Sequence, residues 1–219
     1  KTLYSYFDES ITYQHRTYKS GVYLLGYENR EIPVEPDFSY TVARGWIQNI
    51  KDLSSNSTLL SGSFAISNDT EDLYSAVITK STQQRFQFEI GQTIELRKSI
   101  SSKEMVPVKI SGVIEPNYQK EKYWANFEMF LDPPPLADTA DATPPPGVSV
   151  NPDEPPVVLF ISEQDFVNYT EGAGHGKLIS TMWFAGIDKN SFISDDIQYP
   201  KLLAASFERK IKTSHKAGY

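Results

Sequence analysis

The chain has 219 residues, 39% apolar and 13% aromatic, which is enough to bury a core and too apolar for disorder. A net charge of −7 excludes a general nucleic-acid binder, which needs a basic footprint for phosphates. With no cysteine there is no disulfide framework, thiolate metal site or cysteine nucleophile, and no run reaches the roughly 20 apolar residues of a membrane-spanning helix.

Taken in order, Lys1 to Tyr27 is crowded with Tyr and Phe, and Ser10–His15 and Gly21–Gly26 pattern as strands. Glu31–Asp37 is interrupted by Pro33 and Pro36 and makes a connector. Ser39–Ala43 resumes as a strand, with Gly45–Ile50 as a further short strand or hairpin arm. Ser54–Ser63 is a polar loop around Leu59-Leu60, and Ser67–Asp72 is a turn by composition.

The stretch Leu73–Glu115 organises the chain as strand, short helix, glycine corner, strand, loop and strand. The short helix is expected from about Ser81 to Phe86, although Arg85–Ile90 also alternates like a strand. The chain bends at Ile90-Gly91-Gln92-Thr93 and re-emerges as Ile94-Glu95-Leu96. Val106, Val108, Ile110, Gly112 and Ile114 then recur with a period of two, the pattern of a half-buried strand. Gly91 and Gly112 are expected to be backbone corners and not ligand cradles.

Tyr118–Leu131 is aromatic, with a strand expected at its end. Asp132–Pro156 is Pro-rich and acidic, with no Lys or Arg. Repeated loss of amide donors predicts an exposed loop there, free of ladders and helices. Val157–Ile161 is a continuous apolar run, expected to be a buried strand. Ser162 caps a helix that turns Phe166, Val167 and Tyr169 inward. Gly172–Gly176 is a loop and Ile179–Ile187 a strand. A last helix is expected from Asp195 or Pro200 to about Lys212, in a tail carrying Lys201, Arg209, Lys210, Lys212 and Lys216. That basic tail is either a solvated helix face or a segment close to an anionic membrane. No internal repeat is present.

No constellation stands out as catalytic. His15, His175 and His215 lack the paired spacing of a zinc site. Gly172-Ala173-Gly174-His175-Gly176 lacks the Gly-Lys-Ser/Thr ending of a phosphate loop and precedes a strand. There is no nucleophile elbow, and nothing singles out a carboxylate pair. The expectation is therefore no catalytic residue, no metal and no cofactor. Asn56, Asn68 and Asn168 stand in N-x-Ser/Thr triplets, which arise often by chance. Trp46, Trp124 and Trp183 are the candidate contact aromatics, able to build a sugar-stacking platform or to serve as core.

The run from Ala76 to Lys98, followed by Val106–Glu115, resembles the extracytoplasmic domain of FtsX-like ABC transporter permeases of the MacB type. Ile90–Leu96 matches that family's corner, with Gln92 where Asp or Lys is common, and Val108–Ile114 matches its Val-Val-Gly-Val-like strand. Leu59–Phe64 sits where the family has a Leu-x-x-Gly-Arg segment, without the Arg. Leu159–Phe166 is similar to its later strand and capped helix. The first forty residues and the Pro-rich loop have no counterpart.

The resemblance implies an α+β, β-rich, two-lobed fold with a few short helices, a MacB-like periplasmic core. A membrane-proximal lobe is expected from about 1–45 and 178–219, and a β-rich middle lobe from about 46–177. It implies a soluble segment excised from between two transmembrane helices on the extracytoplasmic face of the cell membrane. Its partners would be the transmembrane helices of the same chain and, indirectly, a cytoplasmic ATPase subunit. A second permease copy or an extracellular partner protein would complete the set. The implied role is non-enzymatic, coupling transmembrane motion to export or to that partner. Two other classes stay open on the residues alone: a secreted or surface-attached carbohydrate- or protein-binding module, and an enzyme with an unrecognised carboxylate site.

Overall fold

The computed structural model describes residues 11–27, 32, 37–64, 73–100, 102–119, 121–124, 131, 148–149, 154–172 and 179–187. The chain forms two compact units, residues 15–183 and a smaller unit made of 1–14 with 184–219. Only strand residues of the smaller unit are described. Among the described residues the fold is mostly strand with a few short helices.

Six strands of the larger unit close on themselves. They are β2 (Tyr23–Gly26), β4 (Ala43–Ile50), β6 (Tyr74–Thr79), β7 (Thr93–Arg97), β8 (Met105–Pro116) and β10 (Val157–Phe160). Around the ring, β6 pairs with β8 in parallel, β8 with β7, β7 with β2 and β2 with β4 antiparallel. Strand β10 closes it, parallel to β4 and antiparallel to β6. Strand β1 (Ile11–Ser20) adds to β4, and β11 (Ile179–Ile187) follows β1 in the sheet order. Strand β5 (Ser57–Gly62) adds to β8. A separate pair joins β3 (Asp37–Thr41) to β9 (Val148–Ser149). The helices whose bounds fall among the described residues are α1 (Leu53–Asn56), α2 (Lys80–Phe86), α3 (Glu121–Trp124) and α4 (Glu163–Glu171).

A closed barrel turns alternate residues of each stave inward. Leu25, Ile47, Ala76, Ile78, Ile94, Leu96, Val108, Ile110, Val157 and Leu159 make one interior cluster. Phe86 and Phe88, at the end of α2 and just beyond it, join the same cluster, as do Phe166 and Tyr169 of α4. Two helices, α2 and α4, begin on a side-chain cap: Thr79 accepts from the amide of Thr82, and Ser162 from the amide of Asp165. Helix α2 ends at Gln87 in the left-handed conformation, which stops the helix before Phe88.

Several expectations change. The stretch 54–63 is not a loop but the end of α1 and strand β5. It looks polar because β5 is solvated, with Leu60 43% exposed. The strand expected at 39–43 and the arm at 45–50 are divided differently: β3 ends at Thr41, and β4 runs unbroken from Ala43. The Pro-rich stretch does hold a two-residue ladder, Val148–Ser149 on β3, placed where no Pro interrupts the amides; its residues 132–147 and 150–153 lie outside those described. Val167 is 42% exposed while Phe166 and Tyr169 turn inward, as one helical face requires. Residues 23–26 and 43–45, read as part of the terminal lobe, are barrel staves. The turn at 67–72, the strand expected toward residue 130 and the C-terminal helix lie outside the described residues.

The alternation along β8 also breaks. Ala76 faces Ile110 while Val77 faces Gly112, so Ser111 is an extra residue in the ladder. The bulge turns Val113 into the interior cluster and moves Gly112 and Ile114 off the face of Val106, Val108 and Ile110. Gly112 is thus not a corner. It lies within a strand, where a Cβ would collide with the carbonyl oxygen of Ser63 and stand 3.1 Å from that of Ser61. Gly91 differs: its φ is +91°, and a Cβ there would meet nothing within 4 Å.

These two glycines predict different costs. Gly112→Val should lower stability by about 1–3 kcal/mol through overpacking, and Gly91→Ala by about 1 kcal/mol through its backbone angle alone. Chemical denaturation of both variants checks this; an unchanged midpoint for Gly112→Val would contradict the close packing.

Candidate functional site

Strands β4 and β10 run parallel, so their ends emerge together. The amide of Ile161 donates to the Gln48 carbonyl (2.9 Å), and Asn49 Nδ2 donates to the Ile161 carbonyl (3.0 Å). From this tie β10 turns through Ser162 into α4, and β4 turns through Lys51 and Asp52 into α1. Between the two turns lies a cleft of about 290 Å³. Val77, Phe160 and Phe64 line its apolar side, and Lys51, Asp52 and Glu163 its polar side. Glu163 is ion-paired with Arg16 of β1. Asp52 holds a left-handed backbone (φ 61°), and its side chain caps no amide of α1.

The Lys51–Asn56 turn is fastened from α3. The Tyr123 hydroxyl donates to the Lys51 carbonyl (2.7 Å), and Trp124 Nε1 donates to the Asn56 carbonyl (2.9 Å). Their rings meet edge to face, 4.6 Å between centroids, and His15 meets Tyr123 in the same way at 4.5 Å. Burial holds the His15 imidazole below its ordinary pKa, the Asp52 carboxylate opposing and Lys51 adding to the shift. Burial, with Asp52 nearby, raises Tyr123.

Inside the barrel the hydroxyls of Tyr23 and Tyr169 bond each other, with the Tyr74 ring 6.0 Å from that of Tyr169. Burial and the Tyr169 hydroxyl push Tyr23 far above the normal tyrosine range, so it stays protonated. The pair fastens α4 to β2. Among the described residues no three His, Asp or Glu side chains form a group able to hold a metal ion.

Two of the three candidate tryptophans, Trp46 and Trp124, are buried. Trp46 is 3% exposed, with Lys19 Nζ 3.7 Å over its ring, and Trp124 is 1% exposed. Neither offers a free face to a sugar, because one packs on the barrel wall and the other clamps the α1 turn. Trp183 lies on β11, and its side chain is outside the described residues. Of the histidines, only His15 is described. The cleft was not visible in the sequence, since its lining comes from four separated stretches. The cap at Ser162 was the one local signal near it.

No protein-family model matches the chain, and no characterised protein matches it. Among solved structures it is similar to a domain of a protein named as a permease, from Porphyromonas gingivalis. The identity is 11% and the TM-score 0.41, over 93% of this chain and 74% of that one. A likeness of that degree carries no argument for function.

Two outcomes follow from the buried groups. Tyr169→Phe should cost about 1–3 kcal/mol by stranding the Tyr23 hydroxyl. Adding Tyr23→Phe should cost less than it does alone; additive costs in a double-mutant cycle would refute the coupling. For His15, a lowered folded pKa means that stability is present above the unfolded value of about 6.5 and is lost as pH falls below it. The urea midpoint should therefore drop from pH 7.5 to pH 5, and drop less in His15→Gln; equal drops would contradict the assignment.

Proposed function

We propose that the chain is a non-catalytic, extracytoplasmic domain of an FtsX-like ABC transporter permease of the MacB type, coupling transmembrane motion to export or to an extracellular partner. What supports the reading is where the resembling segments fall. Leu59–Phe64 covers the second half of β5, Ile90–Leu96 the corner and β7, and Val108–Ile114 the middle of β8. Both β5 and β7 bond to β8, so three segments scattered in sequence become one piece of sheet. The fourth, Leu159–Phe166, is the end of the closing stave and its capped helix. These residues lie in strands, a turn and a helix cap of the barrel.

The chain path supports the same reading. The larger unit is a single insertion, residues 15–183, within a smaller unit made from both chain ends. That suits a domain carried between two membrane segments. In this reading the smaller unit is membrane-proximal, ATP is hydrolysed by a separate cytoplasmic subunit, and the barrel meets a second permease copy or an outside partner.

The full reading frame should show about 20 apolar residues shortly before Lys1 and soon after Tyr219. A cysteine placed at the exposed Ser54 should react with a membrane-impermeant maleimide in intact cells. A frame with a secretion signal and an immediate stop, or labelling only after lysis, would sink the proposal.

A further inference from the structure

We infer that two copies of this chain associate edge to edge, β5 of one lying antiparallel against β5 of the other across a twofold axis. The inference rests on the second-copy contact proposed above and gives that contact a place. Among the described residues β5 pairs on one edge only, with β8. Its flanks spend their groups there: the Asn117 amide donates to the Asn56 carbonyl (3.0 Å), and the Ser63 amide to the Ser111 carbonyl (2.8 Å). Successive residues of an antiparallel strand turn their amides and carbonyls to opposite edges. Counting from Asn56, Thr58 faces β8 and Leu59 presents both groups to the open edge. Thr58, Leu60, Ser61 and Gly62 are exposed, so the strand stands in solvent.

Native sheet edges are guarded by charges, prolines, bulges or a covering element. Strand β5 has neither charge nor proline, and it lies within residues 53–68, the longest stretch of the chain without Asp, Glu, Lys, Arg or His. Its one guard is the bulge at Leu60, which shortens the ladder and makes the pairing weak. Apolar surface gathers along the same strand. Leu60 stands at its middle, Ile90 Cδ1 would lie 3.1 Å from a Cβ at Gly62, and Tyr118 follows closely on Pro116, the partner of Ser57. These are three of the five exposed large hydrophobic residues among those described, and such grouping marks an interaction surface. Neutrality selects the occupant. A chain of net charge −7 repels its own copy, and pairing across a twofold sets a strand against its own sequence, so a charge on it would lie close to its own like. An uncharged strand escapes this. The ladder charge beside it, Glu115 opposite Thr58, is ion-paired with Lys80 (3.3 Å).

Sedimentation equilibrium of the 219-residue chain tests this. A dimer with a Kd of about 0.1–1 mM is expected, as a contact below the standard interface size implies. Leu60→Lys and Leu60→Glu should each weaken it at least about tenfold through like charges, with Tm unchanged because residue 60 is exposed. An equimolar mixture of the two variants should restore a dimer. The chain has no cysteine, so under a mild oxidant Leu60→Cys should give an intermolecular disulfide. It should form well ahead of that from Val167→Cys, whose site on α4 is comparably exposed. A chain that stays monomeric at millimolar concentration, a dimer that Leu60→Lys leaves intact, no restoration on mixing, or equal cross-linking at residue 167 would each overturn the inference. A β5 edge made for another protein's strand would give the first of these. Those failures leave the membrane-flank result unaffected, so the two ideas fail separately.

Discussion

Closure of the barrel depends on Val157–Phe160. This stave is four residues long, yet it bonds β4 on one edge and β6 on the other. All four side chains are buried, Val157 and Leu159 in the interior cluster and Val158 and Phe160 outside it. Burial of each is worth about 1.5–3 kcal/mol relative to exposure. That gain offsets the loop-closure entropy of joining β10 to β4, which lies more than a hundred residues earlier. Without β10, β4 and β6 would present two open edges, the arrangement that invites aggregation.

The second constraint is the length of β8. Its twelve residues exceed any other stave, and one edge is shared by β7 at Met105–Lys109 and by β5 at Gly112–Pro116. The Gly91 turn fits between them, its amide donating to the Ile110 carbonyl, and Ile110 returning a bond to the Gln92 carbonyl. Just there the Ser111 bulge bends the strand and Gly112 lets the Ser61–Ser63 backbone approach. A residue with a side chain at 112 would separate β5 from β8. Buried ring contacts finish the core, with Phe86 stacked on Phe88 and Phe166 beside Tyr169.

Local patterns were legible where one residue's surroundings come from its own neighbours in sequence. The apolar run at 157–161, the cap at Ser162, the helix after Thr79 and the strand Ile179–Ile187 are all of this kind. Patterns failed where tertiary contacts decided. A bulge displaced Gly112 and Ile114, which no period-two count registers. Strand β5 was missed because a solvated edge strand has the composition of a loop. Trp46 and Trp124 show that aromatic content does not distinguish a platform from a clamp; Lys19 and the Asn56 carbonyl, remote in sequence, make the difference. Barrel closure and the cleft beside it were illegible for the same reason, since both arise from pairing β4 with β10.

Strand β1 carries a mechanical consequence. It enters the larger unit and lies antiparallel to β4, with Thr17, Tyr18 and Lys19 opposite Ile50, Asn49 and Gln48. Side-chain bonds reinforce the seam, the Thr17 hydroxyl donating to the Asn49 carbonyl (2.6 Å) and the Ser20 hydroxyl oxygen accepting from the Ile47 amide (3.0 Å). A tension applied along β1 loads these bonds together in shear, instead of peeling them one at a time. Strand β4 is in turn bonded to β2 and β10. A load on β1 is thus passed through β4 to two further staves of the closed wall.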